Sequence, residues 1–151
     1  MDEISILLAT DSERDWAAKV MAGSDPWITL RVSADQLRSV VLDKEYKLFI
    51  AHLGDTPVGL IILQDRGVAG SPYLKSIAVA EGSRGKRIGE AMIRFAEEMY
   101  RPRSKHFFLC VSSFNTRAKA WYEHLGFRAV GEFEDYVIQG ASEILMYKAL
   151  Q

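Results

Sequence analysis

Ser83-Arg84-Gly85-Lys86-Arg87-Ile88-Gly89-Glu90 is the stretch on which the reading of this chain turns. Before it runs Tyr73-Leu74-Lys75-Ser76-Ile77-Ala78-Val79-Ala80, an apolar segment of strand length. After it, Ile88, Met92, Phe95, Ala96 and Met99 recur at spacings of three and four, which predicts a helix over residues 89–100 with one buried stripe. On that helix Glu90, Arg94, Glu97 and Glu98 are expected to face water. A strand, a turn rich in glycine and cations, and a helix start together suit a phosphate. The first N–H groups of a helix lack partners and carry partial positive charge. Glycine lets the backbone come close to an anion. Arg84, Lys86 and Arg87 add formal charge at the same place, so the expected ligand carries a pyrophosphate.

Working outward, residues 4–9 read as a strand, and Thr10 to Ser12 cap a helix beginning near Glu13 with Trp16, Val20 and Met21 on one side. Ser24-Asp25-Pro26 breaks it. Ser33 to Gln36 has capping chemistry for a second short helix with Leu37, Val40 and Val41 apolar. Residues 47–53 and 57–64 form a predicted hairpin around Gly54-Asp55-Thr56. Residues 106–111 are a dense apolar strand. Asn115 or Thr116 opens a helix carrying Ala118, Trp121, Tyr122 and Leu125, and Gly126 ends it. Residues 127–133 and 143–149 are the last strands. The order predicts an α/β fold, a twisted mixed sheet with helices on both faces, as a single domain over residues 1–151. The two strands of the 73–111 crossover should be parallel and joined right-handedly.

Composition narrows the function classes. The chain has 151 residues, 48% hydrophobic and 26% charged, with net charge -1. That balance disfavours a nucleic-acid partner, which would want a basic excess. The basic stretch 101–106 reads as a solvated helix end. One cysteine, Cys110, permits no internal disulfide and fits a reducing compartment. Met1-Asp2-Glu3 lacks the basic start of a signal peptide, and no apolar run is long enough for a membrane span. A cytoplasmic protein without a membrane partner is expected. His52, His106 and His124 have no metal-ligand spacing, so no metal is expected. A P-loop is excluded because no Lys-Ser or Lys-Thr follows the glycines, and a dinucleotide fingerprint lacks its three spaced glycines.

Two blocks resemble the GNAT superfamily of acetyl-CoA-dependent N-acetyltransferases. The first is Ile77-Ala78-Val79 followed by Arg84-Gly85-Lys86-Arg87-Ile88-Gly89, similar to a signature of Arg or Gln, two residues, Gly, one residue, then Gly or Ala. The second is Asn115 with Tyr122 seven residues later, inside a run ending Leu125-Gly126-Phe127. Together they cover about a third of the chain. Arg87 stands where the family has its first glycine. A negative φ and an outward side chain are expected there, adding a cation near the phosphates.

The resemblance implies acetyl-CoA as co-substrate, bound by Ile77, Ala78, Val79, Arg84, Gly85, Lys86, Arg87, Ile88, Gly89, Glu90, Asn115 and Tyr122. Main-chain groups of residues 77–79, exposed by a β-bulge there, would meet the pantetheine arm and thioester oxygen. Tyr122 would protonate the departing thiolate as the catalytic residue. The implied reaction is direct acetyl transfer to a primary amine of a small molecule or of a peptide or protein N-terminus, with no covalent enzyme intermediate. Transfer of another acyl group, or a non-catalytic acyl-CoA-binding module of the same fold, are the alternatives. The family often forms dimers, so a homodimer is compatible with the resemblance.

The general base stays open. Some relatives place a glutamate where Cys110 stands, and Cys110 reads as a buried structural thiol. Glu143, Asp65, Glu132 and Asp135 are candidates, as is a water chain ending on Ser76 or Ser112. Without a strong base, an α-amino group near pKa 8 costs about 1.4 kcal/mol to deprotonate at pH 7, against about 4.6 for a lysine-like amine. That favours the lower-pKa amine. The acceptor pocket is expected between the N-terminal helices, the region of Trp27 and Leu30, and the loop at residues 133–142, where Glu134 and Asp135 would attract a cation.

Overall fold

A computed structural model describes residues 3–151, so Met1 and Asp2 of the acidic N-terminus lie outside the described residues. The elements are β1 (Ile4–Leu8), α1 (Asp11–Ala22), α2 (Ala34–Leu42), β2 (Lys47–Leu53), β3 (Thr56–Val68), β4 (Ser71–Val79), α3 (Ile88–Tyr100), β5 (His106–Ser112), α4 (Thr116–His124), β6 (Arg128–Phe133) and β7 (Glu143–Ala149). They form a seven-stranded sheet in the order β1-β2-β3-β4-β5-β7-β6. Only the β4–β5 pair is parallel, as the crossover through α3 requires.

The middle strands are apolar on both faces because both are covered. Leu48, Ile50, Leu60 and Ile62 pack with Ala17, Met21, Leu37 and Val41 of α1 and α2. Their alternates Phe49, Ala51, Ile61 and Leu63 pack against Ile88, Met92, Ile93 and Ala96 of α3, and Tyr122 of α4 joins that cluster. The predicted α/β sheet with helices on both faces is therefore the observed one.

Local chemistry sets the helix starts. Thr10 caps α1 by accepting from the Glu13 N–H, while the Glu13 carboxylate accepts from the Thr10 N–H at 2.9 Å. The helix thus begins at Asp11, two residues before the expected start, because Glu13 is the third residue of a capping box. Ser33 and Gln36 make the same reciprocal pair for α2.

Three expectations are corrected. β3 runs to Val68 rather than stopping at residue 64, and turns into β4 through Ala69 and Gly70, both at positive φ. Glu97 does not face water. It is buried and accepts from Lys148 Nζ at 2.7 Å, and the same ammonium donates to the Leu125 carbonyl at 2.7 Å, tying α3 to β7 and the end of α4. The β-bulge lies at Lys75, not at residues 77–79: the β3 register passes from Ile62↔Ser76 directly to Leu63↔Leu74.

Candidate active site

The site begins with that bulge. β4 and β5 pair only at Tyr73↔Phe108 and Leu74↔Leu109. From Lys75 onward the two strands diverge, while residues 76–79 keep their register with β3 on the other edge. The β4 edge that faces the gap therefore carries main-chain groups with no strand partner. Such groups need a hydrogen-bonding partner when covered, and an extended ligand arm supplies one. Ile77, Ala78 and Val79 all line this gap.

On one side of the gap lies a groove of about 740 Å³ at the start of α3. Arg84, Gly85, Arg87, Ile88, Gly89, Glu90, Asn115 and Val79 line it, so most of the residues expected at a pyrophosphate come together. Lys86 does not line it. Gly85 takes φ 81°, the left-handed conformation that glycine adopts without strain. Arg87 takes φ 60° and ψ 23°, which corrects the expectation of a negative φ. The turn demands a left-handed residue just before α3, and an arginine pays about 1 kcal/mol for it. No side chain caps α3, so its first N–H groups face the groove without a side-chain acceptor. Arg84 also braces the turn, donating from Nε to the Val79 carbonyl at 3.3 Å. Glu90 is paired along the helix with Arg94 at 3.1 Å.

Gly89 has a different reason from the one expected. A Cβ there would stand 3.0 Å from Trp121 Cη2, so it is the indole packed on α3, as much as an anion, that requires glycine. Asn115 caps α4, accepting from the Ala118 N–H at 3.3 Å, and lines the groove as well. Arg117 and Trp121 were not singled out as ligand-facing from sequence. The signal for Arg117 was available: a cation in a helix's first turn opposes the macrodipole and points to an anion nearby.

On the other side of the gap is a cavity of about 710 Å³. It shares Val79, Gly89, Asn115, Ala118 and Trp121 with the groove, so the two are continuous across the splay. Its walls come from most of the expected regions: Trp27 and Leu30, α2, Phe133 at the end of β6, and Tyr136 and Val137 of the loop after it, while α1 does not line it. Tyr73, Lys75, Ser76, Cys110, Ser112 and Glu143 also line it. Ser112 is buried and donates to the Glu143 carboxylate at 2.6 Å. Burial pushes the Glu143 carboxyl above the usual carboxylate range, and the Ser112 hydrogen bond opposes that only in part. Burial likewise raises the Tyr122 phenol, which lines the same cavity.

Cys110 is half-buried rather than sealed in the core, and burial raises its thiol, with Tyr73 and Lys75 acting downward and Glu143 upward. The other carboxylate candidates are engaged elsewhere. Asp65 is desolvated, yet Lys47 at 2.8 Å and the Tyr100 hydroxyl at 2.9 Å hold it below its usual range. Asp135 accepts from the Gly140 N–H at 2.6 Å, and Glu132 accepts from the Ser142 hydroxyl at 3.3 Å. Neither they nor Glu134 line the cavity.

A seven-stranded mixed sheet, splayed between its two parallel strands beside an uncapped helix start, makes this an α/β fold with its cleft at the splay. The family model for the acetyltransferase (GNAT) family matches residues 10–127, so this chain belongs to the GNAT acetyltransferases. No curated protein sequence matches it. Among solved structures it is similar to a GNAT-family acetyltransferase from Desulfovibrio desulfuricans, at TM-score 0.83 and 17% identity over 99% of this chain and 100% of that one. It is also similar to the ribosomal-protein-S18-alanine N-acetyltransferase of Escherichia coli, at TM-score 0.78 and 20% identity over 99% and 95% of the two chains. An aminoglycoside 6'-N-acetyltransferase complexed with coenzyme A superposes at TM-score 0.75 and 17% identity, covering 97% of each chain. At these identities the likeness speaks to the fold. No helix among the described residues is long and apolar enough to cross a membrane.

Proposed function

We propose that this protein transfers an acetyl group from acetyl-CoA directly to a primary amine of a small molecule or of a peptide or protein N-terminus. The observation that carries the reading is the splay: it joins a groove with arginines and an uncapped helix start to a cavity holding a desolvated carboxylate. Acetyl-CoA supplies an activated acyl group on a thiol leaving group.

The first N–H groups of α3, with Arg84, Arg87 and Arg117, hold the pyrophosphate. The free edge of Ile77, Ala78 and Val79 pairs with the pantetheine amides and donates to the thioester oxygen, where negative charge develops. Asn115 sits where the arm crosses between groove and cavity. Glu143, oriented by Ser112, takes a proton from the attacking amine; burial makes it a stronger base than an exposed carboxylate. Tyr122 donates to the departing thiolate. Burial keeps its phenol protonated, so it serves mainly as a hydrogen-bond donor beside a group of intrinsic pKa about 8.5. Cys110 stays a thiol for the same reason, which fits transfer without an enzyme-bound acyl group.

The test is thiol release from acetyl-CoA by the purified protein with a panel of primary amines. Amine-dependent release that climbs with pH through the Glu143 titration supports the reading. Binding of acetyl-CoA with no release for any amine contradicts it.

A further inference from the structure

We propose that the acceptor is a free α-amino acid with an apolar or aromatic side chain, its carboxylate held by Lys75. This rests on the acetyltransferase reading above and narrows it.

Lys75 is the bulged residue of β4, half-buried, and lines the acceptor cavity. Among the described residues no carboxylate lies within ion-pair distance of its ammonium, which stands 5.2 Å from the centroid of the Tyr46 ring. The other lysines that contact the body of the protein are paired: Lys47 with Asp65, Lys148 with Glu97. A half-buried cation that has an aromatic face but no carboxylate beside it, in a mostly apolar cavity, is open to an anion from the ligand. Lys75, Glu143 and Cys110 line this one cavity. An acceptor that carries a carboxylate and an amine on one α-carbon offers an anion to that cation and a proton to that base within the same cavity.

The remaining lining explains the side chain and excludes other amines. Only Asp25 and Glu143 among the lining residues are acidic, and Asp25 already accepts from the Thr29 N–H at 3.0 Å and hydroxyl at 2.6 Å. A polycationic amine would therefore meet one cation and only two carboxylates, each already accepting from a protein hydroxyl. Trp27, Leu30, Val40, Phe133 and Leu145 offer apolar surface instead. A peptide N-terminus presents an amide where Lys75 requires a carboxylate.

The experiment compares initial rates with L-phenylalanine and L-leucine against their amides, phenethylamine and the tripeptide Phe-Gly-Gly, for the native protein, Lys75→Met and Lys75→Arg. The free acids are expected to exceed the amides in kcat/KM by about tenfold to a hundredfold, through KM. Lys75→Met is expected to abolish that preference, lowering kcat/KM for the free acids about tenfold or more beyond any change for the amides; Lys75→Arg keeps part of it. Amides or peptide turned over as well as the acids, or an equal loss for every amine in Lys75→Met, overturns this inference alone. Release with none of these amines overturns this inference, and the acetyltransferase reading falls with it only when the wider panel of primary amines gives no release either.

Discussion

The groove and the cavity are neighbours across one gap, yet they are built in opposite ways. The groove comes from two short contiguous segments, residues 79–90 and one face of α4. Much of its work falls to backbone: an uncapped helix start, a left-handed turn and a free strand edge. The cavity gathers single side chains from α2 and the turn before it, from β3, β4, β5 and β7, from α4, and from the end of β6 and the loop after it. Backbone-mediated binding leaves a spacing signature in sequence, because a turn needs its residues in order. A side-chain site assembled over long separations leaves only scattered residues.

The sharpest way to break that division is Glu143→Gln. Its kcat should fall about a hundredfold or more while acetyl-CoA affinity stays at the native level. Stability should move the other way. Burial raises the folded pKa of Glu143, so its favourable contribution is present at low pH and is lost as pH rises through that pKa. The glutamine variant should therefore melt at or above the native protein at pH 8, with a smaller difference or a reversed one at pH 5. Parallel rates, titrations and melting curves check all three statements.

Tyr122→Phe preserves the buried ring and removes one hydrogen bond to a charged leaving group. Its kcat should drop about tenfold with unchanged melting temperature, and the drop should shrink with acyl donors whose leaving group is a better anion. Arg84→Ala addresses the groove alone: calorimetry should show about tenfold weaker acetyl-CoA binding, with the amine KM unaltered. Arg87→Gly is the smallest effect. Removing the left-handed arginine should stabilise the fold by up to about 1 kcal/mol, and the lost cation should weaken acetyl-CoA binding only a few-fold. A simultaneous loss of amine and cofactor affinity in either arginine variant would show that the two regions are not separable.

What could be read beforehand follows the same division. The element order and the caps at Ser33 and Asn115 were legible because each depends on residues within a few positions of one another, and the parallel pairing followed from the strand–helix–strand order rather than from any local signal. The groove was legible in part: Lys86 does not line it, Arg117 and Trp121 do, and the sign of φ at Arg87 was reversed, since residue type alone does not reveal when a turn overrides an arginine's preference. The bulge at Lys75 was placed two residues away, because a bulge is set by the pairing register of β3 and leaves no composition mark of its own. Glu97 was read as exposed from helical periodicity, and its partner Lys148 lies 51 residues away. Glu143 was one carboxylate among four. Only the fold brings it to Ser112, 31 residues distant, and sends Asp65 to Lys47 and Tyr100. Lys75 and Tyr73 carried a faint signal as polar residues in an apolar strand.

The most direct test of the whole account is a calorimetric titration of acetyl-CoA into the native protein, Arg84→Ala and Glu143→Gln under the same conditions. Micromolar binding that weakens about tenfold in Arg84→Ala and is unchanged in Glu143→Gln is the predicted result. No native binding at hundreds of micromolar, or equal weakening in both variants, would contradict it.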